Sequence, residues 1–347
     1  MTAPSLVDGA ILGNYVDRGD MIVFPSNPSA KVTINDSGVG LGKITLIDKN
    51  GKEVSNTDGL FELTTNEYHM VFEDKLGNKT SPTPLKDLLG LPNNKIVVDT
   101  LNPSVDIKRP NGIVGNWFKD DVEYSMRLED TTGLSTANVK INGVDVINHA
   151  FENKNTLSKD MLFSTKGINP NDDDSYNVSV VVVDIVGNTS YWNDTIYIDK
   201  HAPVVDRFVI TGDGYLEGVG TNSSNKYGFY MKGKTDVEVH VSDGSYTSGL
   251  DEVHYTLINE NGTSETGVSK IVGGVAKLSI DKEFKGYISA YAVDKVGNIG
   301  SPNKPDGIII EGGNTHINTA NIDIELPNID SRDSKGNYLY KDRKSTR

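Results

Sequence analysis

Three segments of the form Asp-x-x-Gly-Asn, at 74–78, 184–188 and 294–298, set a carboxylate three residues before a glycine and four before a side-chain amide. Such a segment fits three kinds of chemistry: an oxygen-ligand metal loop, a turn presenting a nucleophile, or a plain bend. In the bend, the carboxylate accepts backbone N–H groups while Gly or Asn takes positive φ. Other candidates are thinner. The acidic run at 169–174 lacks the glycine and distal glutamate of a twelve-residue calcium loop and reads as a solvated turn. The six histidines, His69, His149, His201, His240, His254 and His316, follow no H-E-x-x-H spacing. The glycine-rich stretch at 212–220 precedes no helical pattern whose N-terminus would hold a phosphate. With no cysteine, thiolate metal sites and thiol nucleophiles are excluded. Nothing here makes an active site, and the chain reads as a non-enzyme.

The elements that position these segments repeat with them. The three motif aspartates stand 110 residues apart on both steps. Two, four and six residues before each lie Phe72, Met70 and Tyr68, then Val182, Val180 and Val178, then Ala292, Ala290 and Ile288. All are apolar, so a period of two runs into each motif and predicts a strand with one face in a core. Alternating runs ending in "TIND", "RLED" and "HVSD" come earlier in each copy, followed by Gly40-Leu41, Gly133-Leu134 and Gly249-Leu250. Short apolar strands ending in an acid close the copies at 96–99, 196–199 and 308–311. In Asp99-Thr-Leu-Asn-Pro103 and Asp199-Lys-His-Ala-Pro203 a proline follows the acid by four and stiffens the hand-over to the next copy.

About seven short strands per copy, with no helical periodicity of any length, predict an all-β chain of tandem antiparallel β-sandwiches. The expected domains are 1–100, 101–200 and 201–312, with 313–347 as the truncated start of a fourth repeat, either frayed or covering the third. The opening residues look like the end of another linker, which makes the chain a segment of a longer array. Unit one carries an insertion at 81–94 whose "PLKDLLG" predicts a turn or two of helix over a sandwich edge.

The formal net charge of -14 repels phosphate backbones and anionic lipid surfaces, so nucleic acid is not an expected partner. No stretch approaches the apolar length of a membrane span. Tyr191-Trp192 has no counterpart in the other copies and is the one candidate ligand surface, since stacking on a sugar ring needs a flat apolar face.

The strand, the Asp-x-x-Gly-Asn turn and the following "IDKHAPVV" resemble the bacterial immunoglobulin-like (Ig-like) repeats of surface proteins and large adhesins, over nearly the whole chain. The resemblance implies Ig-like sandwiches, three complete and a fourth truncated. It implies a structural stalk that projects a distal binding domain from a bacterial cell surface, extracellular or secreted. A host glycan or protein receptor is then met through a domain outside this chain. It also implies calcium as the one cofactor to consider, at the domain junctions, with Asp99 and Asp199 as ligand candidates and Asp74, Asp184 and Asp294 nearby in sequence. The alternative is a carbohydrate- or ligand-binding module, an accessory segment of a secreted hydrolase or a phage appendage.

Overall fold

The structure, a computed structural model, describes residues 4–54, 56–57, 59–169, 174–212, 229–232, 234–259, 261–301 and 319–325. Their regular structure is almost all strand, and the chain divides into two compact units. Residues 1–110, 123–168 and 177–194 form one; residues 111–122, 169–176 and 195–347 form the other.

The first unit opens with a two-sheet sandwich. One sheet runs Ser5–Leu12, Ser29–Asn35, Leu60–Glu62, Asn56–Thr57; the other is ordered Val16–Asp17, Ile22–Phe24, Lys95–Val98, Asn66–Asp74, Leu41–Asp48, Glu53–Val54. The period of two does what it should: Tyr68, Met70 and Phe72 point inward and meet Ala30, Val32 and Phe61 of the facing sheet, with Ile22, Phe24, Leu46 and Ile96 between. Each such side chain contributes about 1.5–3 kcal/mol by leaving water. In the insertion, Leu85–Leu89 forms a five-residue helix that stops at Gly90 in the left-handed region. Leu85 is buried in the same core, and Leu88 and Leu89 pack against it. Gly9 makes room: a Cβ there would sit 2.5 Å from Leu89 Cδ2.

The same unit holds most of the second copy. Ser104–Lys108, Glu123–Glu129 and Ser158–Ser164 form one antiparallel sheet, with Tyr124, Met126 and Leu128 on its buried face. Leu134–Ile141 lies between Val144–Ala150 and residues 178–184, burying Ala137, Val139, Val178, Val180 and Val182.

In the second unit the third copy is again a sandwich. Val205, Val237, Val239 and Leu278 face Val253, Leu257, Ile288 and Ala290 across one core. The hairpin at Gly273 and Gly274 joins Ser264–Val272 to Val275–Ile280 and carries the chain from one layer to the other.

One strand bears on how the third copy is covered. The tail from 313 was expected to begin a fourth repeat, frayed or covering the third, and the closing strand of the third was expected at 308–311, which lies outside the described residues. Thr319–Glu325 lies antiparallel to Phe284–Asp294 and parallel to Phe229–Lys232. Lys95–Val98 holds the same place in the first copy, antiparallel to Asn66–Asp74 and parallel to Ile22–Phe24. An open strand edge needs a partner for its N–H and C=O groups, and Thr319–Glu325 supplies it to the third sandwich.

A shared irregularity positions the motif. In each copy the strand that follows Gly-Leu shifts register by one residue opposite the motif aspartate: between Leu41 and Lys43 at Asp74, between Leu134 and Thr136 at Asp184, and between Leu250 and Glu252 at Asp294. A bulge there bends the strand end and turns the motif carboxylate out of the ladder.

Candidate metal centre

The motif carboxylates finish a main-chain bend. Asp184 Oδ1 accepts the N–H groups of Val186, Gly187 and Asn188 at 2.9, 2.7 and 2.9 Å, and its Oδ2 accepts the Asn188 side-chain amide at 2.7 Å. Gly187 takes φ 101°, open to glycine at little cost. Asp74 accepts Leu76 N and Asn78 N at 2.8 Å each and the Asn78 amide at 2.6 Å. Asp294 accepts Asn298 N at 2.8 Å and the Asn298 amide at 2.7 Å.

The motif asparagine also reaches the end of the preceding copy. Asn188 donates to the Asp99 carbonyl at 3.1 Å, and Asn298 donates to the Asp199 carbonyl at 2.8 Å. This brings the linker acids onto the motif acids. One carboxylate oxygen each from Asp99, Asp130 and Asp184 lie within 4.8 Å of one another, and so do those of Asp199, Asp243 and Asp294. Each triad draws one acid from the closing linker of one copy and two from the next, the second-strand end and the motif.

Around the first triad, Asp130 Oδ1 accepts Thr132 N at 2.8 Å, Gly133 N at 2.7 Å and the Thr132 hydroxyl at 3.0 Å. The same hydroxyl makes a short hydrogen bond to Asp99 Oδ2, and Leu101 N donates to Asp99 Oδ1 at 3.0 Å. Around the second, Ser248 N donates to Asp199 Oδ2 at 2.6 Å, Gly244 N donates to Asp243 Oδ1 at 2.9 Å, and the Thr247 hydroxyl donates to Asp243 Oδ2. Asp199 Oδ1 and Ser248 Oγ are buried there with no hydrogen-bond partner.

The electrostatics set Asp184 and Asp294 apart from Asp74. Burial pushes the Asp184 carboxyl above the ordinary carboxylate range, against the pull of Asn188 and the turn N–H groups. Burial does the same to Asp294, opposed by Asn298 and reinforced by the charges of Asp199 and Asp243. Asp74 is held below the ordinary range, chiefly by the Asn78 amide. Among the described residues no lysine or arginine pairs with Asp99, Asp130, Asp184, Asp199 or Asp294. The nearby cations bind carbonyls instead: Arg18 donates to Thr132 O at 3.1 Å, and Lys119 to Gly297 O at 2.7 Å.

Crowded carboxylate oxygens, two of each three acids buried, suit a hard cation. Two ligands held at 2.3–2.6 Å from one calcium ion lie at most about 5 Å apart, so the observed separation fits. Asp99 and Asp199, singled out by their linkers, belong to the triads, as do Asp184 and Asp294; Asp74 joins neither. Asp130 and Asp243 were missed, although the runs that end in them, like "TIND" at Asp36, share a terminal aspartate.

Tyr191 is 74% exposed. Trp192 makes an edge-to-face pair with the buried Tyr124, centroids 6.2 Å apart, and Tyr124 stacks on Phe163 at 4.7 Å. Asp194 accepts the Tyr124 hydroxyl at 3.2 Å and pairs with Arg109 at 2.5 Å. A groove of about 620 Å³ beside them is lined by Arg109, Tyr124, Leu162 and Phe163.

No helix is long and apolar enough to cross a membrane among the described residues. No protein-family model matches the chain, and no curated protein matches its sequence. Solved structures similar to it include a calcium-stabilized adhesin with which an Antarctic bacterium binds ice, at 14% identity over 92% of this chain and 75% of that one, TM-score 0.33. A 1.5-MDa bacterial ice-binding adhesin is 15% identical over 93% of this chain and 98% of that one, TM-score 0.35. A tetra-tandem repeat from the extending region of a large adhesion protein is 13% identical over 86% and 73%, TM-score 0.29. Likeness at this level carries no argument about what the chain does.

Proposed function

We propose that this chain is a non-enzymatic stalk segment of a bacterial surface adhesin, a tandem run of Ig-like sandwiches with calcium held at the links between them. The first two repeats run over 1–100 and 101–200, and the third begins at 201 and closes with Thr319–Glu325. The observation that carries the reading is that the same three-acid arrangement recurs, each time bringing one acid of an Asp-x-x-x-Pro linker together with two acids from the residues that follow it. Three carboxylates crowded within 4.8 Å repel one another, and a divalent cation turns that repulsion into a cross-link. In this role the chain is extracellular, where calcium is abundant, and receptor binding belongs to a domain outside it.

Thermal unfolding of the intact chain in calcium and in chelator tests the reading. A ligand at 100 times its Kd stabilises by about 2.7 kcal/mol, so the midpoint rises by several degrees with calcium; an unchanged midpoint overturns it. A second reading, a carbohydrate-binding module, is favoured by the exposed ring of Tyr191 beside Trp192. Glycan-array binding that is lost in Trp192→Ala would favour it over the stalk.

A further inference from the structure

The two triads contain the same acids but differ in the hydroxyl beside them. Thr132 and Ser248 each immediately precede the Gly-Leu that opens the bulged strand. Between Asp130 and Gly133 the loop is short, and the Thr132 hydroxyl bridges Asp130 Oδ1 and Asp99 Oδ2. Between Asp243 and Gly249 the loop is three residues longer, and Thr247 serves Asp243 in place of the residue next to glycine. Ser248 then gives only its backbone N–H to Asp199 Oδ2, and its hydroxyl oxygen is left buried without a partner. Asp199 is fully buried and its Oδ1 has no donor at all.

We propose that the links fill with calcium in order, the Asp199–Asp243–Asp294 centre first and the Asp99–Asp130–Asp184 centre second. This rests on the calcium reading above and adds a ranking to it. At the second link the ion meets a carboxylate oxygen and a hydroxyl oxygen that nothing else satisfies, so binding removes the cost of leaving them unpaired. At the first link the Thr132 proton already points at the acids. Calcium must displace a charge-assisted hydrogen bond before the hydroxyl oxygen can turn towards it. The difference of one such bond separates the two affinities by roughly tenfold or more.

Calorimetric titration of calcium chloride into the chelator-treated intact chain tests this, with circular dichroism confirming that each variant keeps its strands. Two steps are expected, separated by roughly tenfold or more in Kd. Asp199→Asn removes the tighter step and Asp99→Asn the weaker. Ser248→Ala, a smaller change, weakens only the tighter step, and Thr132→Val leaves that step in place. Loss of the tighter step in Asp99→Asn, or two steps of equal affinity in the unaltered chain, overturns the ranking alone. No calcium uptake by the unaltered chain overturns the calcium reading as well.

Discussion

The side-chain amide of Asn298 donates at once to Asp294 Oδ2, at 2.7 Å, and to the backbone carbonyl of Asp199, at 2.8 Å. Asn188 stands between Asp184 and Asp99 in the same way. One side chain thus closes a turn in its own copy and ties down the linker acid that precedes it. Asn298→Ala leaves a buried carbonyl and a buried carboxylate each short of a donor. Unpaired buried groups cost about 1–3 kcal/mol apiece. The variant is expected to lower unfolding stability by at least that much, measured by urea titration without calcium.

Two glycines of the second copy, Gly187 in the motif turn and Gly133 before the bulged strand, separate two effects. Gly187, with φ 101° and no atom within 4 Å of an added Cβ, pays only for the backbone conformation when replaced. Gly187→Ala is expected to cost about 1–2 kcal/mol. Gly133 has φ 139°, and an added Cβ would lie 2.2 Å from the Lys154 carbonyl, so the chain must move. Its N–H also serves Asp130. Gly133→Ala is expected to cost clearly more than Gly187→Ala and to weaken calcium binding at the first link. Equal losses in parallel urea titrations would contradict the difference.

How much of this was legible in the sequence follows from what a period of two can say. Tyr68, Met70 and Phe72 alternate with polar residues, and all three are buried. The turn at Asp184 was legible because Asp, Gly and Asn each have a local reason to be there. Asp130 and Asp243 were not, because their place beside Asp99 and Asp199 depends on how one repeat meets the next, which local pattern does not encode. For Thr319–Glu325 the sequence left two readings open. Alternation identifies a half-buried strand but not its neighbour, so the run reads equally well as the first strand of a new sandwich and as the last of an old one.

Asp74 gives the pH dependence. Its carboxyl is held below the ordinary range by the Asn78 amide and the turn N–H groups, so the folded pKa lies under the unfolded one. The stability it contributes is present above the unfolded pKa and is lost as pH falls through the folded pKa. Comparing Asp74→Asn with the unaltered chain, the gap in urea midpoint is expected to narrow on acidification through that acid window. A gap that stays constant would show that the carboxylate charge contributes nothing.

The insertion at 81–94 is expected to be part of the first core. Leu85 is 1% exposed and packs among the residues of the first sandwich. Leu85→Ala is expected to cost about 2–5 kcal/mol, as buried leucine truncations do. The loss should appear in the unfolding of a fragment covering 1–100. A cost under about 0.5 kcal/mol would mark the helix as an exposed ornament.

Thr319–Glu325 yields the last expectation. A chain ending at 312 keeps every motif aspartate but removes Thr319–Glu325, leaving Phe284–Asp294 with an open edge along six paired positions from Phe284 to Ser289. Ladder hydrogen bonds contribute about 0.5–1.5 kcal/mol each, so the loss is on the order of several kcal/mol, concentrated in the third sandwich. An exposed edge also recruits other chains. The chain ending at 312 is therefore expected to melt earlier and to self-associate in sedimentation, whereas one ending at 330 behaves as the full chain does. Were the two truncations indistinguishable, Thr319–Glu325 would not be the closing strand of the third repeat, and the boundary at 312 would stand.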